Sequence, residues 1–360
     1  MTALIWAASL VATCAHAGDA KAPEALSLTG ERWRLELRRD KGTFDFLVQP
    51  QGEAGFVSVL RPGGELPWYG YNVPGGSEAQ TCDTKPTVQA ADAKGPVTVH
   101  CALSKEAKVA HEAAYYPVPD GVLVVTRFSS PMPAPYGSIV RSAPKLDVDT
   151  SLLTHYAFVD ATGRQHQGAI AALGERDAYA GAGGWGPRGD VVSDLDPEHP
   201  YMLLYNPERA VSLGIVLAFY RTSWRGTETF LQLYRGGYNF WYTGFAPRHE
   251  LRGERVFILY ARQSGSPEAI HEDTPRLCQE AKQLVSGGAV EAPETRAVLA
   301  ASERFQGEWQ AVCEEVSQQP PTRAAWLATE MLRAAREWAD RDPVKAVDLV
   351  ERARAELAPR

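Results

Sequence analysis

The sequence predicts a mainly β protein, with a large antiparallel β-sandwich followed by an all-helical C-terminal segment. Apolar and polar residues alternate with a period of two from Leu26 to Ala261, in short runs that Gly and Pro interrupt. The absence of long helical periodicity there favours a sandwich over a fold of alternating strands and helices. After Ser264–Pro267 the apolar spacing becomes helical. We predict a signal peptide over 1–17, a sandwich domain over 18–264 and a helical segment over 265–360.

The individual strands follow from these runs. Trp33–Leu37 alternates apolar with charged residues, as a strand with one wet face does, and Gly121–Phe128 is a β-branched run after a Pro-Asp-Gly turn. Similar runs cover residues 43–48, 56–60, 97–103, 155–160, 201–205, 213–220, 229–234 and 256–261. Two segments are predicted to be loops, namely Pro131–Pro144 with its four prolines and the glycine-rich Ala178–Gly189.

The helical segment carries apolar stripes at the spacing of an amphipathic helix. The first stripe consists of Val298, Phe305, Trp309, Val312 and Val316, and the second of Leu327, Met331, Ala334 or Ala335, and Trp338. Asp342 and Pro343 predict the N-cap and first position of a last helix that continues to Leu357.

The N-terminus predicts export to the periplasm or secretion. Leu4–Ala12 is apolar, and Ala15-His16-Ala17 offers the small residues of a signal-peptidase site. Lipid attachment at Cys14 is the less favoured alternative. The apolar run is too short to span a bilayer, so we expect no integral membrane segment. The net charge of −7 and the absence of a basic run argue against nucleic acid as a partner.

Four cysteines follow the signal sequence, which permits disulfides in an oxidising compartment. The pairs Cys82–Cys101 and Cys278–Cys313 are favoured because each lies within one predicted region. Four free thiols are the alternative. Their spacing does not predict a zinc site, and we expect no metal or other cofactor. Asp190, Asp194, Asp196 and Glu198 could offer oxygen ligands to calcium, but a solvated loop is the favoured interpretation.

An aromatic-rich stretch between Phe219 and Phe245 is the main binding candidate. Aromatic faces pack on the apolar face of a sugar ring while neighbouring Arg and Asn side chains bind its hydroxyls. Alternation assigns Tyr238, Phe240 and Tyr242 to one face of a strand and Asn239 and Trp241 to the other, and one of these faces is expected to belong to the core. The predicted substrate contacts are Trp185, Arg188, Arg235, Tyr238 and Trp241.

His155, His166 and His199 are the histidines in or beside the middle strands, and His199 is the best candidate for acid catalysis because it stands at the entry to an apolar strand. The segment His199-Pro200-Tyr201 is similar to the His-aromatic strand motif of aldose epimerases. Leu251-Arg252-Gly253-Glu254 resembles a Leu-x-Pro-Gly-Glu strand entry, with Arg in place of Pro.

On these motifs, residues 26–262 resemble the galactose mutarotase-like supersandwich domains of aldose epimerases, polysaccharide lyases and glycoside hydrolases. The resemblance implies that His199 protonates a sugar ring oxygen. The carboxylate base of such epimerases has no clear counterpart, with Glu250 and Glu254 as the two candidates. Ring opening needs both an acid and a base.

Three functions follow as hypotheses. The first is an exported protein that binds or acts on a mono- or polysaccharide. The second is a non-catalytic module of the cell envelope whose helical segment docks an envelope protein. The third is a polyuronate lyase in which Arg235 and Tyr238 would serve as carboxylate neutraliser and base.

Overall fold

The protein is built from antiparallel β-sheets followed by four helices, which confirms the predicted fold class. The computed structural model describes residues 25–40, 43–60, 69–72, 86–90, 96–104, 109–133, 139–142, 145–146, 148–160, 162–172, 178–181, 191–192, 195–219, 228–234, 237–245, 250–339 and 342–358. Within these ranges the strands are, in chain order, β1 Ala25–Thr29, β2 Trp33–Arg38, β3 Phe44–Val48, β4 Val57–Ser58, β5 Tyr69–Asn72, β6 Thr87–Ala90, β7 Val97–Ser104, β8 Val109–Val118, β9 Gly121–Pro133, β10 Ile139–Ser142, β11 Lys145–Leu146, β12 His155–Val159, β13 Gln165–Ala169, β14 Ala178–Gly181, β15 Val191–Val192, β16 Tyr201–Asn206, β17 Val211–Val216, β18 Glu228–Tyr234, β19 Gly237–Phe245 and β20 Glu250–Arg262. The helices are α1 Glu268–Ser286, α2 Pro293–Ser317, α3 Arg323–Trp338 and α4 Pro343–Leu357.

The strands form three sheets in the described ranges. A four-stranded sheet has the order β1-β2-β3-β4, and a nine-stranded sheet has the order β13-β12-β16-β17-β20-β9-β8-β7-β6. A seven-stranded sheet has the order β15-β14-β18-β19-β10-β5, with β11 also paired to β19. The pair β14–β15 is parallel, whereas the other strand pairs named in these orders are antiparallel.

Burial follows the alternation in the sequence. Along β2 and β3 every second residue is buried, so these strands present one face to the core. All residues of β16 and β17 are buried, because both faces of the nine-stranded sheet are covered there. The strand predicted over residues 213–220 is observed as β17, which ends at Val216. Phe219 has a positive φ of 67°, which is incompatible with a strand conformation.

The two segments predicted to be loops both contain strand. Within Pro131–Pro144, β9 continues to Pro133 and β10 pairs with β5 and β19. Within Ala178–Gly189, β14 pairs with β18 on one side and β15 on the other. At the described residues these predictions were wrong, because pairing with neighbouring strands stabilises an extended backbone there despite the local glycine and proline. Residues 134–138, 143–144 and 182–189 lie outside the described ranges.

The chain divides into two compact units, residues 1–218 with 227–280 and residues 219–226 with 281–360. The first turns of α1 belong to the sandwich unit and lie on the nine-stranded sheet. A Cβ atom at Gly214 would stand 2.5 Å from Ile270 Cδ1, so the glycine is what lets the helix approach β17. Tyr260 donates a hydrogen bond to Asp273 Oδ2 (2.9 Å), and Arg276 pairs with Asp120 (2.7 Å).

In the second unit α2, α3 and α4 surround a small core. Its buried members are Ala301, Phe305, Val312, Ala328, Leu332, Ala335, Ala346, Val347, Val350 and Ala353. The stripe on α3 is centred one position beyond the predicted one, so Leu332 is buried while Met331 packs at the edge. The predicted start of α4 is confirmed, because Asp342 accepts a hydrogen bond from the backbone N–H of Lys345 (3.0 Å) and Pro343 is the first helical residue.

The favoured disulfide between Cys278 and Cys313 is contradicted, since both thiols are free. Cys278 lies on the part of α1 that belongs to the sandwich unit, whereas Cys313 lies on α2 in the helical unit, so the pair does not share one structural region. Burial raises the pKa of the Cys278 thiol to about 11, which keeps it unreactive at neutral pH. Cys82 lies outside the described ranges, and its bond to Cys101 stays a prediction.

The contacts of α1 predict where the sandwich can be cut. A chain ending at Gly265 loses Ile270, Asp273 and Arg276 and uncovers Tyr260, whereas a chain ending at Gly287 keeps them. We expect the shorter chain to unfold at a lower temperature than the longer one, because burial of one large apolar side chain contributes about 1.5–3 kcal/mol. Thermal unfolding followed by circular dichroism measures this. Equal midpoints would show that the sandwich does not depend on α1.

Candidate functional site

His199 lies at the end of a short loop that is fastened to the nine-stranded sheet. The backbone N–H of Asp196 donates to Val159 O (3.0 Å) at the end of β12, and Leu217 N–H donates to Pro200 O (2.8 Å) beside β17. The Asp196 carboxylate also accepts from the backbone N–H of Glu198 (3.1 Å), a turn typical of Asp. The loop therefore holds its polar side chains against a rigid strand.

The His199 imidazole is paired with a carboxylate. Its Nδ1 lies 2.9 Å from Asp196 Oδ2, and 20% of the His199 side chain is exposed. Because an ionised carboxylate only accepts hydrogen bonds, Nδ1 is the protonated nitrogen of the neutral ring. Nε2 of this neutral ring is then the nitrogen that can accept a hydrogen bond.

A second imidazole from α1 stacks on the first. The ring centroids of His199 and His271 are 3.9 Å apart and the rings are almost parallel, at 10°. His271 Nδ1 is buried and has no hydrogen-bond partner in the described ranges. Burial lowers the pKa of His271, and the positive charge that His199 can carry lowers this pKa further.

Tyr201, the first residue of β16, completes the cluster. Its ring meets His271 edge-on, with centroids 6.2 Å apart, and its hydroxyl is buried without a hydrogen-bond partner in the described part of the chain. Burial raises the pKa of Tyr201, and the nearby Glu268 and Asp196 carboxylates raise it further. The arrangement can support proton transfer at His199, and it also fixes the first turn of α1 on the sheet.

Glu254, one candidate for the base, does not join this cluster through its described contacts. Its side chain is 1% exposed and Oε2 accepts a hydrogen bond from Arg127 Nε at 2.9 Å. Arg127 in turn pairs with Glu112 (2.5 Å), and Glu112 with His100 (3.1 Å), so a row of charged residues crosses β20, β9, β8 and β7. The Glu254 carboxylate is thus part of a cross-strand ion-pair row. The Glu250 side chain lies outside what the structure describes.

His155 and His166, the other two histidines predicted to lie in or beside the middle strands, have structural partners. His166 Nε2 contacts Asp160 Oδ2 at 2.7 Å, within the turn between β12 and β13. His155 Nδ1 contacts the Thr154 hydroxyl at 2.9 Å, and its ring packs on Tyr205. These contacts stabilise the edge of the nine-stranded sheet.

The seven-stranded sheet separates its residues into two faces of different character. Directly opposed residues of an antiparallel pair lie on the same face, and successive residues of one strand alternate between faces. Trp241 therefore shares a face with other residues of its own and the neighbouring strands, namely Ile139, Arg141, Lys145, Tyr179, Glu228, Phe230, Gln232, Tyr234, Asn239, Thr243 and Phe245. The opposite face carries Val140, Leu146, Ala178, Ala180, Thr229, Leu231, Leu233, Tyr238, Phe240 and Tyr242.

We call the first of these the Trp241 face. The strand alternation places Tyr238 on the opposite face, so Tyr238 and Trp241 do not contribute to one surface of β19. His199 precedes β16 of the nine-stranded sheet, while β19 belongs to the seven-stranded sheet. The predicted contacts are therefore not gathered by one sheet face. Trp185, Arg188 and Arg235 lie outside the described ranges.

Two groups of residues in these sites carried no signal of their own in the sequence. His271 is a single histidine on a helix, and its partner His199 is far away in the chain. Arg141 lies in the proline-rich segment that predicts a loop, and Lys145 directly follows that segment. Asp196 does carry a signal, because an Asp three residues before a His is a spacing that allows the observed hydrogen bond.

Comparison with known proteins gives a distant likeness in fold. No family model matches the chain, and no curated protein matches it with significance. Among solved structures, alpha-N-acetylgalactosaminidase NagBb from Bifidobacterium bifidum, in complex with GalNAc, has a TM-score of 0.49 at 12% identity, over 72% of this chain and 39% of that chain. GH36 alpha-galactosidase AgaB from Geobacillus stearothermophilus has a TM-score of 0.40 at 11% identity, over 70% of this chain and 41% of that chain.

A galactose mutarotase-like protein from Lactobacillus casei has a TM-score of 0.35 at 10% identity, over 66% of this chain and 100% of that chain. The two glycosidases are much longer, and this chain covers about two fifths of each. These values describe a general likeness in fold to proteins that include a mutarotase-like one. They carry no statement about activity.

The stacked pair predicts a pH-dependent contribution to stability. We expect His271→Ala to lower the free energy of unfolding by about 1 kcal/mol at pH 7.5, because it removes an aromatic pair. Folding lowers the pKa of His271 below the ordinary histidine value of about 6.5. As the pH falls below that value, His271 is protonated in the unfolded chain before it is protonated in the folded protein, which favours unfolding. The contribution of His271 is therefore complete above that pH and decreases below it.

Urea unfolding at pH 7.5 and pH 5.0 measures this change. The cost of His271→Ala should be smaller at pH 5.0 than at pH 7.5. Phe46→Leu is the control, because it removes a ring that stacks on Trp33 and neither ring takes up a proton between these pH values, so its cost should be the same at both. A cost that stays constant, or grows, on acidification would contradict the account of the stacked pair.

Proposed function

We propose that this protein is an exported carbohydrate-binding protein and that the Trp241 face is its sugar-binding surface. The proposal of export rests on the apolar Leu4–Ala12 and the small residues Ala15-His16-Ala17 that follow it. The observation that carries the proposal of binding is the strand register, which gathers Trp241 with amide, hydroxyl and charged residues on one face of the sheet.

The composition of the two faces supports this assignment. The face with Leu231, Leu233 and Phe240 has the character of a protein core. The Trp241 face combines Trp241 and the directly opposed Phe230 with Asn239 and Gln232, which are also directly opposed on β19 and β18. An indole ring can pack against the apolar face of a sugar, and amides can donate to and accept from its hydroxyls.

The strand register supports binding, and the described contacts do not test catalysis. His199 has the hydrogen-bonded carboxylate that an acid–base residue requires, but the described contacts of the candidate base Glu254 lead to Arg127. His199 and Trp241 belong to strands of different sheets. The acid role of His199 therefore stays a prediction, which turnover measurements on mono- and oligosaccharides with the wild-type protein and a His199→Gln variant address.

Substitution of the tryptophan tests the proposed surface. We expect Trp241→Ala to weaken binding of the best ligand on a glycan array by roughly 30-fold, the effect of losing about 2 kcal/mol at a tryptophan contact. Isothermal titration calorimetry gives the dissociation constants, and circular dichroism checks that both proteins keep the same fold.

Trp326→Ala is the matched control, because Trp326 is 61% exposed and lies in the helical unit. It removes the same side chain and should leave the dissociation constant unchanged. The absence of binding to any neutral or acidic glycan would refute the proposed function. Equal affinities of the wild type and Trp241→Ala would show that binding, where it occurs, uses another surface.

A further inference from the structure

Two cationic residues stand on the strands that pair with one edge of β19, one before and one after Trp241 along the direction of that strand. Arg141 of β10 is directly opposite Thr243, and Lys145 of β11 is directly opposite Asn239. Asn239 and Thr243 are each two positions from Trp241 along β19, so all five residues share the Trp241 face. The register brings these cations to the tryptophan although they stand far from it in the sequence.

The spacing of the cations follows from strand geometry. Four residues of a β-strand extend about 13 Å, so Arg141 and Lys145 are separated by about that distance along the direction of β19, with Trp241 at the midpoint. This separation is longer than a single sugar ring. A chain of sugars is a ligand long enough to reach both positions while it covers Trp241.

The strand on the other edge of β19, β18, offers no cation at the positions next to Trp241. On β18 the residues opposed to Thr243, Trp241 and Asn239 are Glu228, Phe230 and Gln232. Both cations are thus concentrated on the β10–β11 side, in a protein whose net charge is −7. Because the protein as a whole is acidic, two cations on the proposed binding surface would attract an anionic ligand to that surface in particular.

We infer that the Trp241 face binds an anionic oligosaccharide, a chain of sugars that carry carboxylate or sulfate groups. This inference rests on the proposed function and names its ligand class. A guanidinium group forms paired, charge-assisted hydrogen bonds with a carboxylate or sulfate, and an ammonium group provides a compact positive charge. Arg141 and Lys145 are the specificity-determining residues, and Trp241 supplies affinity for the sugar ring between them.

Titration with matched tetrasaccharides tests the inference on the full chain. Tetragalacturonate supplies carboxylates, a heparin-derived tetrasaccharide supplies sulfates, and maltotetraose is neutral. We expect one of the two anionic probes to bind at least tenfold more tightly than maltotetraose, and this preference to decrease as salt is raised from 20 mM to about 500 mM because ions screen exposed charges.

Removal of each cation should reduce the preference without abolishing binding. We expect Arg141→Gln and Lys145→Gln to weaken binding of the anionic probe by about tenfold and to leave the affinity for maltotetraose unchanged. Arg333→Gln and Lys282→Gln remove the same charges from the helical unit and should change neither affinity.

The outcomes separate this inference from the proposed function. Equal binding of neutral and anionic probes would overturn the inference and leave carbohydrate binding in place. A preference for anionic probes that survives both substitutions would overturn the assignment to Arg141 and Lys145. The absence of binding to all three probes, and to a wider glycan array, would overturn both. Tighter binding of the heparin-derived probe than of tetragalacturonate would support the inference with sulfate as the preferred anion.

Discussion

The unbroken antiparallel pairing of β18 with β19 is the constraint on which the functional account depends. Seven consecutive residue pairs, from Glu228 with Thr243 to Tyr234 with Gly237, match without a register shift. Because side chains alternate along a strand, a slip of one residue would exchange the two faces of the sheet. The pairing with β10 and β11 extends the same division to Arg141 and Lys145. One strand register thus determines which charged and aromatic residues share the Trp241 face.

The nine-stranded sheet uses its surface differently. Over β16, β17 and β20 it is covered by the first turns of α1, which Gly214 admits and the Tyr260–Asp273 contact fastens. The His199–His271 stack stands at the start of this helix, where burial and the neighbouring His199 lower the pKa of His271. Toward β7 and β8 the same sheet carries the ion-pair row of Arg127, Glu112 and His100, which is partly exposed. The helix and the row therefore divide one sheet into a packed region and a polar region.

Local alternation in the sequence predicts the fold class and the separation of Tyr238 from Trp241, because strand periodicity is a local property. It does not predict the partners of a strand. The prolines around Arg141 indicate a loop, whereas hydrogen bonds from β5 and β19 make this segment a strand. The stack of His271 on His199 likewise arises from the docking of α1 through Ile270, for which neither histidine carries a sequence signal. Each candidate site therefore contains residues that only strand pairing or helix docking brings together, and local sequence patterns do not predict these contacts.

Accessibility of single positions on β19 tests the central claim most directly. Trp241→Cys and Phe240→Cys place a thiol at adjacent positions on opposite faces, and labelling of the folded proteins with a maleimide can be read for each peptide by mass spectrometry. We expect rapid labelling at position 241 and strong protection at position 240 until the protein is unfolded. Protection at 241 with rapid labelling at 240, or equal rates at both positions, would contradict the assignment of the Trp241 face.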